Sequence, residues 1–217
     1  MATGYRKSTD LPQAIPVFPL DGALLLPGGQ LPLNIFEPRY LNMIDDVMAG
    51  DRLVGMVQTR GGERGRPALA PVGCVGKVTA FAETPDGRYL ITLTGVSRFQ
   101  VGEELPVHTP YRQVRARFGP YEGDLEPSQA PPDIDRSRFL RALGRYLDQR
   151  DIGVDWETAE QAPADALVNS LAMGLPFDPA EKQALLEAYS LRDRADALVA
   201  LLEIDGAAAD DEPPSLQ

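Results

Sequence analysis

Few side chains in this 217-residue chain are equipped for covalent or metal chemistry. It carries one histidine, His108, and one cysteine, Cys74. A metal site needs clustered His, Cys or carboxylate ligands, and these two do not make one alone. Cys74 sits in a Val- and Gly-rich stretch and reads as a small core residue. His108, between Pro106 and Pro110, reads as part of a loop or strand end. A Ser–His–Asp triad would have to use His108, and no nucleophile elbow supports it. Gly95-Val96-Ser97-Arg98-Phe99 lacks the closing Gly, and Ser97 reads as a strand residue. The lysines are Lys7, Lys77 and Lys182. A Ser–Lys dyad would need Lys77, because Lys7 falls in an expected disordered start and Lys182 on an expected exposed helix turn. A phosphate-cradling loop needs Gly-x-x-x-x-Gly-Lys-Ser/Thr. Here Gly76-Lys77 is followed by Val78, and Pro71 stands where the first Gly belongs. The expectation is a non-enzyme without metal or cofactor.

Binding residues are easier to nominate. Phe36, Glu37, Arg39 and Tyr40 form the most motif-like group. They read either as a peptide-contacting surface or as a structural set, Glu37 and Arg39 orienting a helix start while Tyr40 packs. Arg64 and Arg66 lie in a Gly-rich basic stretch, residues 60–67, expected to be a flexible loop that meets an acidic peptide or RNA phosphate, or merely a solvated connection. Arg115 and Arg117 alternate with apolar residues on one strand face and keep an RNA-binding alternative open. No clustered exposed aromatics accompany them to stack bases. Charge also opposes it. Residues 1–118 carry 13 Lys/Arg and 11 Asp/Glu, while residues 119–217 carry 8 and 21. The second half, at −13, repels nucleic acid and anionic lipid at long range.

The elements that must hold these residues follow from periodicity. The Pro and Gly residues, 20 of each, lie mostly in the first two thirds and predict short strands and tight turns there. Residues 15–20, 23–26, 30–35, 53–59, 72–83, 89–94 and 111–118 read as extended, with Leu31, Leu33 and Ile35 sharing a face. Pro85-Asp86-Gly87 is a hairpin turn. After it Tyr89, Ile91 and Leu93 share one face and Leu90, Thr92 and Thr94 the other. Gly95 marks a bulge or bend. One helix interrupts the strands. Pro38 suits its first position, Tyr40, Leu41, Ile44, Val47 and Met48 form its apolar stripe, and Gly50 ends it. Beyond a Pro- and acid-rich linker, the pattern turns helical. Phe139, Leu140, Leu143, Tyr146 and Leu147 form a stripe, and Ala166, Leu167, Ser170 and Leu171 another. Asp178-Pro179-Ala180-Glu181 is a capping box followed by Leu185, Leu186 and Tyr189. Ser190 caps a last helix carrying Ala195, Leu198, Val199 and Leu202. The fold class is α+β: an N-terminal β-barrel with one inserted helix, then a small C-terminal helical bundle. The boundaries are a disordered start at 1–12, barrel 13–119, linker 120–134, bundle 135–204 and a disordered acidic tail at 205–217. The lone Cys and the lack of an apolar leader or spanning stretch predict a soluble cytoplasmic chain.

These segments also carry a resemblance. Ile15-Pro16-Val17-Phe18-Pro19-Leu20, then Leu26-Pro27-Gly28-Gly29-Gln30-Leu31-Pro32-Leu33-Asn34-Ile35-Phe36-Glu37-Pro38-Arg39-Tyr40, resemble the opening of the N-terminal domain family of Lon proteases. Gly73-Cys74-Val75-Gly76 and Gly95-Val96-Ser97-Arg98-Phe99 resemble two further strands of that family. The similarity covers roughly residues 13 to 203. It implies a PUA-like barrel followed by a helical bundle, without the family's ATPase and Ser–Lys protease modules. It further implies a stand-alone, non-catalytic module that binds unfolded or specific polypeptide segments and serves a protease or chaperone system. The alternatives are a PUA-like RNA binder and a small hydrolase in which His108 or Lys77 meets a serine in a cleft.

Overall fold

The structure, a computed structural model, describes residues 4–63, 66–126, 134–150, 152–153 and 155–210; the side chains of 63, 66 and 206–210 lie outside that description. The strands are β1 (Ala14–Pro19), β2 (Gln30–Ile35), β3 (Leu53–Glu63), β4 (Arg66–Glu83), β5 (Tyr89–Glu104) and β6 (Gln113–Arg117). Helix α1 (Pro38–Ala49) is inserted between β2 and β3. After the strands come α2 (Arg136–Gln149), α3 (Trp156–Gln161), α4 (Ala164–Gly174), α5 (Pro179–Glu187) and α6 (Leu191–Asp210).

Strand order is β2-β5-β4-β3-β1-β6, and β6 pairs back onto β5. Strands β1, β3, β4, β5 and β6 therefore close into a ring, with β2 added outside it on the first half of β5. The β1–β3 pairing is parallel and the others are antiparallel. Inward residues of the ring, among them Ile15, Val17, Val57, Val75, Phe99, Val114 and Phe118, fill its interior. Phe99 occupies the middle because two glycines make room. A Cβ on Gly55 or Gly73 would lie 2.9 Å from the end of its ring. At the expected bulge the register shifts between Val75 and Gly76, so Val96 of β5 is left over. A second core joins the outside of the sheet to the helices, from Phe18, Leu24, Leu25, Leu26, Ile35 and Ile44 to Phe139, Tyr146, Leu185 and Leu198.

Helix α1 starts at Pro38, where a missing N–H costs nothing, and Gly50 is its C-cap. Its buried stripe is Tyr40, Met43, Ile44 and Val47. The left-handed residue of the following turn is Arg52, at φ 61°. Tyr111, just before β6, donates its Oη to Asp46 on α1 at 2.7 Å. Burial and that carboxylate push its phenol up to about 12. The hairpin turn forms as expected, with Gly87 at φ 77° and Thr84 N bonded to Arg88 O.

Several expectations are corrected. Residues 23–26 join no strand; Leu24, Leu25 and Leu26 are buried beneath the helices instead. Residues 60–63 and 66–67 are not a loop. Gly62 pairs with Pro67 and Glu63 with Arg66, because register shifts at Gln58 and Gly61 absorb the Gly-rich sequence into the ladder. The start is not disordered from residue 4 on: Ser8–Asp10 form a 3-10 turn and Leu11 is buried. The linker expected over 120–134 opens with a second 3-10 turn, Gly119–Leu125, that packs on β5. The tail expected from 205 begins inside α6, whose backbone is helical to Asp210. On α4 the buried residues are Val168, Asn169 and Ala172, while Ala166 and Ser170 face solvent. Tyr189 is 83% exposed. Lys182 is buried, its Nζ donating to Gly22 O at 2.8 Å.

Candidate functional site

The first half of β5 carries a small three-stranded sheet that projects from the ring. Leu31 pairs with Leu93, Leu33 with Ile91 and Ile35 with Tyr89 on one side. Phe81 pairs with Ile91 and Ala82 with Leu90 on the other. Paired residues share a face. One face, with Leu31, Leu33, Ile35, Ile91 and Leu93, turns to the second core. The other turns outward and presents Gln30, Pro32 and Asn34 of β2, Leu90, Thr92 and Thr94 of β5, and Ala80 and Ala82 of β4. Phe36 continues the alternation beyond β2. Phe36 is 61% and Leu90 47% exposed. Between Lys77, whose ammonium lies 5.5 Å from the Tyr5 ring centre, and Arg88 at the hairpin tip, this face bears no charged residue. Arg88 stands 6.0 Å from the Phe36 ring centre and pairs with Asp86. In a chain with 24% charged residues, this uncharged outward sheet face edged by two exposed large hydrophobics is the candidate contact surface. At the tip, on the other face, Phe81 is 42% exposed against the Tyr89 ring, 5.0 Å away.

The nominated residues distribute between two ends of β5. Phe36 lies on the uncharged face. Glu37 and Arg39 form a half-exposed ion pair at 2.9 Å beside it. Tyr40 is buried, its ring 4.2 Å from Phe18 and under the Arg39 guanidinium at 4.5 Å, so it packs rather than contacts a ligand. Arg115 and Arg117 sit at the far end, Arg117 opposite Gln100 of β5 and Arg115 opposite Ala14 of β1. There they line an open cleft of about 400 Å³ with Ser8, Thr9 and Gln13, and Arg115 is paired with Glu103 at 3.0 Å. Arg66 opens β4, and Arg64 lies outside the described residues. Nothing brings these groups into one site. Leu90 was not nominated, although the alternation after the hairpin already put it on the face opposite Ile91.

The remaining chemistry is dispersed. Cys74 is fully buried, and burial pushes its thiol well above the usual range. His108 lies in an exposed bend and Lys77 against Tyr5; among the described residues neither is hydrogen-bonded to a serine. Among the described residues no three His, Cys, Asp or Glu are grouped to hold a metal, and no helix is long and apolar enough to cross a membrane.

Arg98 plays a different part. Its Nε and Nη2 hold both oxygens of Asp124 at 2.9 and 2.8 Å, and its remaining N–H groups reach the carbonyls of Leu186, Ala188 and Tyr189 at the end of α5. Arg194 of α6, also buried, donates to Leu185 O and Asn169 Oδ1, and Asn169 reaches Pro27 O. Gln58 and Gln183 add bonds to Pro179 O and Val72 O. A polar seam thus fixes the bundle on the barrel.

The described residues thus build a closed barrel with one inserted helix, locked to a helical bundle and exposing one uncharged sheet face. Comparison with known proteins gives its kinship. A sequence model described as the ATP-dependent protease La (LON) substrate-binding domain matches residues 14–203, and the chain belongs to that family. It is 24% identical over 205 residues to Lon protease 2 of Myxococcus xanthus, covering 92% of this chain and 24% of that protein. It is 30% identical over 209 residues to a Lon protease of Anaeromyxobacter dehalogenans, covering 89% and 23%. The chain thus spans about a quarter of the length of these relatives. Its fold is similar to a Lon N-terminal domain protein from Xanthomonas campestris (TM-score 0.62, 22% identity, 86% of this chain and 97% of that one). It is similar too to the N-terminal domain of the Mycobacterium avium complex Lon protease (TM-score 0.64, 18% identity, 88% and 98%).

Proposed function

We propose that this protein is a non-catalytic module that binds unfolded or specific polypeptide segments in the cytoplasm, in the service of a protease or chaperone system. The observation that carries the reading is the uncharged outward face of β2, β5 and β4 with Phe36 and Leu90 exposed on it. Fully burying a large apolar side chain contributes about 1.5–3 kcal/mol, so Phe36 and Leu90 are the strongest apolar anchors this face offers. Family membership supports the same reading, because the matching model describes a substrate-binding domain. RNA binding through Arg115 and Arg117 is less well supported, since Arg115 is engaged by Glu103 and the acidic second half repels phosphate.

The test is a titration with a permanently unfolded, reduced and alkylated model protein, followed by fluorescence anisotropy. Wild type binds; the double variant Phe36→Asp, Leu90→Asp folds normally by circular dichroism and binds at least tenfold more weakly. Absence of binding by the wild type, or equal binding by the variant, overturns the proposal.

A further inference from the structure

Strand β2 is the last strand of its sheet, and among the described residues it pairs with β5 alone. Its hydrogen-bonding parity can be read from its neighbours. Gly95 N donates to Gly29 O at 2.8 Å and Gly28 N to Gly95 O at 2.9 Å, so the Gly95 edge of β5 faces β2. Alternation carries that orientation to Leu93, Ile91 and Tyr89. Thr92 agrees, since its carbonyl points the other way and accepts from Thr79 Oγ1 on β4. Leu31, Leu33 and Ile35 are therefore bonded to β5, and the backbone groups of Gln30, Pro32 and Asn34 face the open edge.

Resting on the reading of the adjoining face as a polypeptide-binding surface, we propose that β2 accepts an extended, uncharged segment of a partner polypeptide along this edge, as a seventh strand of the sheet. Such strand addition draws affinity from main-chain bonds and selectivity from alternate side chains. Side chains opposite Gln30, Pro32 and Asn34 extend the uncharged outward face towards Phe36. Those opposite Leu31 and Leu33 lie beside half-buried leucines.

Two observations select this edge and this occupant. The opposite edge of the same small sheet, β4 beyond Thr79, is interrupted by the register shift at Thr79 and carries Glu83; both features deter strand pairing. On β2 the deterrent is narrower. Pro32 lacks an N–H, so an antiparallel pairing of two copies centred on it sets Pro32 against Pro32 and loses both bonds there, and the neighbouring register, Pro32 against Asn34, loses one bond of each pair. A foreign segment keeps its own N–H for the Pro32 carbonyl. The edge is therefore less suited to a second copy than to another chain.

Amide hydrogen exchange by NMR, with and without the same unfolded model protein, is the test. Exchange at Gln30 and Asn34 slows on binding, while Leu31 and Leu33, already bonded to β5, change little. The variant Asn34→Pro, which removes only an outward N–H, binds at least tenfold more weakly at unchanged fold. If wild type binds and the Phe36, Leu90 variant fails, yet Gln30 and Asn34 show no protection, strand addition is wrong while the surface reading stands. If wild type does not bind, both fall. Protection of these amides in the free protein together with a dimeric mass assigns the edge to a second copy and overturns the proposal.

Discussion

The two halves of β5 are built for opposite ends. From Tyr89 to Thr94 the strand is one layer of a small sheet whose outer face is open and uncharged. From Gly95 to Glu104 it is wrapped into the ring, and Arg98 leaves it to enter the polar seam with Asp124 and the end of α5. One half gains little for the fold by its exposed side chains. The other contributes a buried charge whose every bond is structural. Leucine at 90 and arginine at 98 thus invert the usual placement of apolar and charged residues. The inversion at Arg98 joins barrel to bundle, and the one at Leu90 is what the proposed contact with a polypeptide would use.

Substitutions sharpen this contrast. The largest effect belongs to Arg98→Ala, which strands a buried carboxylate and several helix-end carbonyls. Loss of one partner of a buried pair costs about 3–5 kcal/mol, measurable by urea denaturation. A loss below 1 kcal/mol would show that the seam is not holding the bundle. Next comes Gly73→Ala in the strand facing Arg98. Its Cβ would meet Met56 O at 2.7 Å and the Phe99 ring at 2.9 Å, so overpacking of about 1–3 kcal/mol is expected.

A third prediction concerns pH. The raised phenol of Tyr111 means that the folded state holds its proton more tightly than the unfolded state. The stabilisation is complete below pH 10 and is lost as pH rises towards about 12. Wild type therefore loses more thermal stability across that interval than Tyr111→Phe. Equal slopes would remove Tyr111 from the account of α1 anchoring. The smallest effects lie on the open half. Phe36→Ala and Leu90→Ala shift stability by within about 0.5 kcal/mol, and Arg39→Ala, which breaks an exposed pair, by about 0–1 kcal/mol.

What the sequence revealed divides along a similar line. Helix α1, with Pro38 and Gly50 at its ends, the Asp86-Gly87 turn, the bulge after Gly95 and the alternation through β6 are local signals and were legible. So was the capping box at Asp178, because both its bonds run within four residues. Helix α3 was missed: Trp156–Gln161 is short and polar, and its start rests on Asp155 rather than an apolar stripe. The seam was invisible for a different reason. Arg98 finds its partners 26 and about 90 residues away, and Lys182 finds Gly22 across 160. No local pattern distinguishes a cation that will be buried by such contacts from one on a solvated face. The candidate surface was half legible. Phe36 was nominated from its motif, whereas Leu90 stood in plain alternation and was passed over because an exposed leucine has meaning only beside its cross-strand neighbours.

The ring also imposes an order in time. Ala14 of β1 pairs with Arg115 of β6, and Val17 pairs in parallel with Gly55 of β3. The first strand thus waits on the ribosome for its outer neighbour until about a hundred further residues have emerged. Loop closure over such separations is slow. The hairpin of β4 and β5, by contrast, joins adjacent sequence, while the carbonyls that satisfy Arg98 lie about 90 residues further on, at the end of α5. Contact separation therefore predicts assembly from the middle strands outward, with docking of the bundle on Arg98 as a late step.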